Sequence, residues 1–166
     1  MAFIHDTVDL LLSENKIRLA TLNAKDASGQ TPLHLVASFR YLLILRQLLN
    51  HGLDPSIRGA DGRSTLHILL SSATHPHSEK LSPFNPRERE RGIDEALFRR
   101  LLCAPVHGDT TTNNRSNQED LVNLVNDPDS QGNTPLHLAA KAWLERSIAI
   151  LLRLGGTPLA RNHRRR

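Results

Sequence analysis

Nine histidines are the side chains of this sequence best suited to hold a metal or move a proton near neutral pH. Three of them close a recurring tetrapeptide: Thr31-Pro32-Leu33-His34, Ser64-Thr65-Leu66-His67 and Thr134-Pro135-Leu136-His137. The first two copies stand 33 residues apart, and the third follows after 70. Equivalent residues about one repeat apart cannot converge on one ion at about 2 Å. His75 and His77 lie in a proline-bearing segment whose motif offers no third ligand, so no metal site is assigned. No phosphate loop, nucleophile elbow, HExxH or dinucleotide fingerprint is present. Asp94 and Glu95 are neighbours and do not face each other on a helix, and Glu119 and Asp120 fall in a polar loop edge. Cys103 follows Leu101-Leu102 at a helix end and reads as a buried thiol. No catalytic or cofactor-binding residue is assigned, and the expectation is a protein that is not an enzyme and takes no cofactor.

The elements that position the tetrapeptide follow from its own chemistry. In the first copy, Asp26-Ala27-Ser28-Gly29-Gln30 has turn composition. Thr31 then offers a hydroxyl to a helix start, with Pro32 at the first helical position, where its missing N–H costs nothing. Leu33, Leu35, Val36 and Ala37 predict a short helix, and Leu42, Leu45, Leu48 and Leu49 predict a second, ended at Asn50-His51-Gly52. Neither helix buries its apolar face alone, so the unit must stack on copies of itself.

A period near 33 with this tetrapeptide resembles the ankyrin repeat family. The residues that carry the resemblance are 26–35 and 48–55, with residues 129–140 and Leu151-Leu152-Arg153-Leu154-Gly155-Gly156-Thr157-Pro158 repeating them. The resemblance implies an all-α fold, an ankyrin-repeat solenoid of stacked helix-turn-helix units with hairpin-like finger loops. It implies a scaffold role for His34, His67 and His137, together with Thr31, Pro32, Leu33, Leu66, Thr134, Pro135 and Leu136. It also implies a partner protein bound on the concave face, with Ser28, Gln30, Asp61, Arg63, Gln131 and Asn133 on the fingers and Ser38, Phe39, Ser71 and Lys141 on the inner helices. Phe39 has two readings, an interface anchor or a filler packed on Tyr41. Two departures stand out. The family's Gly-His turn between helices is Arg40-Tyr41 and Trp143-Leu144 here, which demands a strained backbone or a reshaped turn. Gly59 replaces the aspartate seen at Asp26 and Asp129, removing an acceptor from the middle finger.

The long interval between the second and third copies resolves into two insertions, of about 20 residues between the middle helices and about 17 before the third tetrapeptide. The domain reading is residues 1–21 as an N-terminal cap helix or degenerate repeat, 22–160 as the repeat domain with insertions at about 73–92 and 104–123, and 161–166 as a basic tail. The second insertion is expected to enlarge a finger. Arg87 to Arg91 alternates sign with glutamates and reads as a solvated helix start. At the other end, residues 147–152 are apolar on more than one side, where a terminal repeat should present a polar face.

Composition sets the remaining limits. One cysteine in 166 residues excludes a disulfide framework, and no apolar run approaches the roughly 18–20 residues of a membrane span. The start of the chain lacks a signal-like core, so the expectation is an intracellular protein, cytoplasmic or nuclear. Four of the last six residues are arginines in a chain of net charge +4. Such a tail offers an alternative partner, nucleic acid or an acidic lipid surface. The chain is expected to act as a monomer or as part of a larger assembly or array.

Overall fold

The computed structural model describes residues 22–74, 92–102 and 121–163. The cap expected over 1–21, His75 and His77, the Arg87–Arg91 run, Cys103, Glu119, Asp120 and Arg164 to Arg166 lie outside these residues. Among the described residues all regular structure is helical. In chain order the helices are α1 (Pro32–Ser38), α2 (Leu42–Asn50), α3 (Thr65–Ser71), α4 (Glu95–Leu102), α5 (Pro135–Lys141) and α6 (Glu145–Arg153). A 3-10 turn, Ser72–Thr74, extends α3, and residues 121–125 form a further short helix.

The helices form two layers. Inner helices α1, α3 and α5 pack in succession, and α2, α4 and α6 each pack on the inner helix of their own hairpin. Seven-residue helices are too short to persist alone, so packing must hold them. Leu33, Ala37, Leu69, Leu70 and Ala139 are fully buried along the inner layer, and Leu45, Leu97, Phe98 and Leu151 along the outer one. Each such leucine contributes about 1.5–3 kcal/mol when removed from water.

Each inner helix starts from the tetrapeptide. Thr31, Ser64 and Thr134 hold extended backbone at the N-cap, and Pro32 and Pro135 occupy the first turn. The backbone N–H of each cap donates to Nδ1 of the histidine three residues on, at 3.0, 3.4 and 3.2 Å. Histidine thereby fills the role that glutamate plays in a capping box.

The turn between helices keeps its shape without glycine. Arg40 and Trp143 both adopt left-handed backbone, φ 58° and 56°. The turn closes on itself as Arg40 N–H donates to Ala37 O and Trp143 N–H to Ala140 O, 3.1 Å each. Of the two outcomes open to this sequence, strain was taken and the turn was kept.

The three fingers have tips of one size, while most of the second insertion, expected to enlarge a finger, lies outside the described residues. The N–H of Asp26, Gly59 and Asp129 donates to the carbonyl of Gln30, Arg63 and Asn133, at 2.8, 2.8 and 2.9 Å. The third tip is therefore not enlarged. Leu121 and Val125 are buried, so the residues just before it fold as a helix that joins the core. Asn126, which ends this stretch, accepts from Thr157 N–H at 2.7 Å, as Asn23 accepts from Asp54 N–H at 3.1 Å. Each asparagine ties the start of one repeat to the start of the next.

Candidate partner-binding face

The first and third fingers are organised by a carboxylate. Asp26 Oδ1 accepts the N–H groups of Ser28 and Gln30, and Asp129 Oδ1 those of Gln131 and Asn133, all at 2.8–2.9 Å. In the middle finger Asp61 Oδ1 accepts Arg63 N–H at 3.2 Å, recovering part of what Gly59 lacks. The Ser28 hydroxyl, then backbone N–H groups, hold Asp26 below the usual carboxylate range. Burial alone would raise Asp129, but hydrogen bonds from Asn133, Gln131 and Arg63 outweigh it and hold it low.

Fingers two and three are cross-linked. Arg63 Nε lies 3.3 Å from Asp129 Oδ2 and 3.4 Å from Asp61 Oδ2. Ser130 N–H donates to Asp61 O at 3.2 Å, and the Ser130 hydroxyl donates to the same carbonyl. Arg58 reaches Gly62 O and Pro128 O and pairs with Asp127. Sequence reasoning did not single out Arg58, although a cation on the finger stem recurs at Lys25 and Arg161.

Between the third finger and α5 lies a cavity of about 400 Å³, lined by Arg63, Gln131, Asn133, His137, Leu138, Ala140, Lys141 and Asn162. Arg63, Gln131, Asn133 and Lys141 come from the expected contact set, and the fold brings these four together. His137 and Asn162 were not expected here. Asn162 Nδ2 donates to Asn133 Oδ1 at 2.9 Å, a contact that the 29-residue separation conceals. Lys141 is exposed and makes no ion pair among the described residues, so its charge is open to a ligand, whereas that of Arg63 is shared with two aspartates.

The other expected positions are dispersed. Ser28 and Asp61 are exposed on their own fingers, and Gln30 is half-buried. Ser38 and Ser71 donate their hydroxyls back to Leu35 O and Ile68 O, at 2.8 and 3.1 Å. Phe39 stacks on Tyr41 with ring centroids 5.9 Å apart, yet 62% of it stays exposed. Packing on Tyr41 and availability to a partner are therefore not alternatives.

Chemically, amides and two cations around a cavity suit carboxylate and peptide recognition. No cluster of three metal-ligating side chains occurs among the described residues. The tetrapeptide histidines are instead engaged with their own helix caps. His67 Nε2 lies 3.0 Å from Asp127 O, a pure acceptor, so Nε2 carries the proton and Nδ1 accepts. Burial pushes His34 down and His67 down to about 4. No helix among the described residues is long and apolar enough to cross a membrane.

The ankyrin repeat pattern matches residues 28–60 and 131–163. The palmitoyltransferase AKR1 of Lachancea kluyveri is 44% identical over 43 residues, which is 26% of this chain and 6% of that protein. The BTB/POZ domain and ankyrin repeat-containing protein NPR2 of Oryza sativa subsp. japonica is 32% identical over 91 residues, 54% of this chain and 14% of that protein. The chain thus spans a small fraction of the length of either relative. Repeats of this kind generally mediate protein–protein interaction and are generally not catalytic. With two copies matched and a third hairpin between them that starts from a like-capped tetrapeptide, the chain carries ankyrin repeats.

Proposed function

We propose that this chain is a non-catalytic recognition module that binds an acidic segment of another protein in the cavity between the third finger and α5. Residues 22–160 form the recognition domain on this reading. The observation that carries it is convergence: Arg63, Gln131, Asn133 and Lys141 come from three elements and line one cavity of about 400 Å³. Lys141 supplies the charge that draws a carboxylate. Gln131 supplies an amide that matches a peptide backbone, and Asn133 and Asn162, bonded to each other, shape the wall beside it. Arg63 sets the position of finger three through Asp129, so its loss would disturb the scaffold as well as the site.

The test places a photo-crosslinking residue at the exposed Gln131 of the full chain, in native lysate. Capture of a specific protein is expected, weakened at least tenfold by Lys141→Glu and by raised salt. Partners retained equally by wild type and Lys141→Glu would sink this assignment.

A further inference from the structure

We propose that the end of the stack formed by α5 and α6 is a docking groove for one amphipathic helix of a partner protein. The groove, about 260 Å³, is lined by Leu136, His137, Ala140, Ile148, Leu152 and Pro158 among others. A shift of 103 residues maps these six onto Leu33, His34, Ala37, Leu45, Leu49 and Pro55. In the first hairpin all six are buried. In the last, Ala140, Leu152 and Pro158 are exposed, and His137 and Ile148 are half-buried. The groove is thus one side of a repeat–repeat interface that already exists within the chain.

That internal interface defines the occupant. The first hairpin is covered by α3, which packs on α1 and carries Thr65, Ile68, Leu69 and Ser72 at i, i+3, i+4, i+7 on the side where Arg40 meets Leu69 and Ser72. Arg40 Nη1 reaches Leu69 O at 3.0 Å and Ser72 Oγ at 3.5 Å, which fixes that edge of α3 against the first hairpin. Helix α5 repeats the stripe as Pro135, Leu138, Ala139 and Ala142, all buried. The finger position beyond the groove is already filled. His163 N–H donates to Gln131 O at 3.1 Å, the counterpart of Ser130 N–H to Asp61 O at 3.2 Å. Among the described residues no helix takes on α5 and α6 the place that α3 takes on the first hairpin, and the helix that fits there carries a stripe of small and branched apolar residues.

A second copy of this chain fits poorly. Stacked through α1, the second copy would present Phe39 where Ser72 and Ala142 close the other stripes, and its own finger would need the place held by residues 160–163. In the sequence, Arg165 stands where Gly29, Gly62 and Gly132 take positive φ.

The probe is a stapled helical peptide with the sequence of residues 64–74, carrying Leu66→Lys and Leu70→Lys for solubility. It is titrated into the labelled full chain and followed by amide chemical shifts. Saturable shifts are expected at Ala140, Ile148 and Leu152. Binding should weaken at least tenfold in a folded Leu152→Glu chain, vanish when the peptide carries Leu69→Glu, and change less than twofold in Lys141→Glu. That last comparison separates this groove from the cavity at Lys141. Shifts that are absent, or undiminished in Leu152→Glu, would overturn the proposal. So would a concentration-dependent dimer in sedimentation that Leu152→Glu abolishes, which would give the groove to a second copy.

Discussion

At His67 the fold holds an imidazole neutral. Its folded pKa, about 4, lies below the ordinary 6.5 because burial penalises the charged ring. The unfolded chain therefore binds more protons below pH 6.5, so the stabilisation is complete above 6.5 and is lost as pH falls towards 4. The loss amounts to about 3 kcal/mol at pH 4. Denaturant titrations between pH 7 and 4 should show it, and His67→Gln should flatten the profile over that window. The aspartates held low, Asp26, Asp94 and Asp129, act in the same direction only below their ordinary 3.8. A second residue-scale effect belongs to Trp143, which holds φ 56° while 79% exposed. Trp143→Gly should raise stability by about 1 kcal/mol, read as an increase in Tm. Arg40→Gly should give less, because it also removes the guanidinium bond to Leu69 O. The missing glycine was legible in the sequence at both turns. What the turn would do instead was not, because backbone strain depends on the packing that enforces it.

Among the elements, the fingers are set by how closely successive tips approach. A methyl group at Gly29 would stand 2.9 Å from Ala60 N, on a residue whose φ is +75°. Gly29→Ala should therefore cost about 2 kcal/mol, from left-handed backbone and a backbone clash together, measured by chemical denaturation. The helices were legible in advance because local signals agree: a hydroxyl cap, proline in the first turn, leucines at helical spacing and glycine after the end. The short helix over 121–125 was missed. Leu121-Val122-Asn123-Leu124-Val125 is brief and follows a long polar run, so nothing local marks Leu121 and Val125 as buried. Arg58, Asn126 and Asn162 were hidden for a like reason, since each bonds to residues far away in sequence.

For the molecule as a whole, one apolar core runs from α1 to α6, and its last surface stays open. Ile150 is 2% exposed while Leu152 is 45% exposed, so these neighbours should answer a charge differently. Ile150→Glu should destabilise by about 3 kcal/mol or more, and Leu152→Glu by less than about 1 kcal/mol, in parallel thermal melts. The apolar excess at residues 147–152 was legible, but which isoleucine faces inward depends on the rotation of α6 against its neighbours. The cavity at Lys141 was legible only as scattered positions, since stacking alone brings Arg63 to Asn133. One feature of the middle hairpin carries a last consequence. Helix α4 is separated in sequence from α3 and from the 121–125 helix by residues 75–91 and 103–120. Its place comes from buried Leu97, Phe98 and Leu101 and from polar ties: Arg46 to Asp94, Arg153 to Glu95 and Arg100 to Asn50. A gene split between codons 75 and 91 should therefore yield two polypeptides that reassemble when co-expressed, and co-purification through a tag on one half would reveal it. The middle of this solenoid is a part held in place, not a part threaded through.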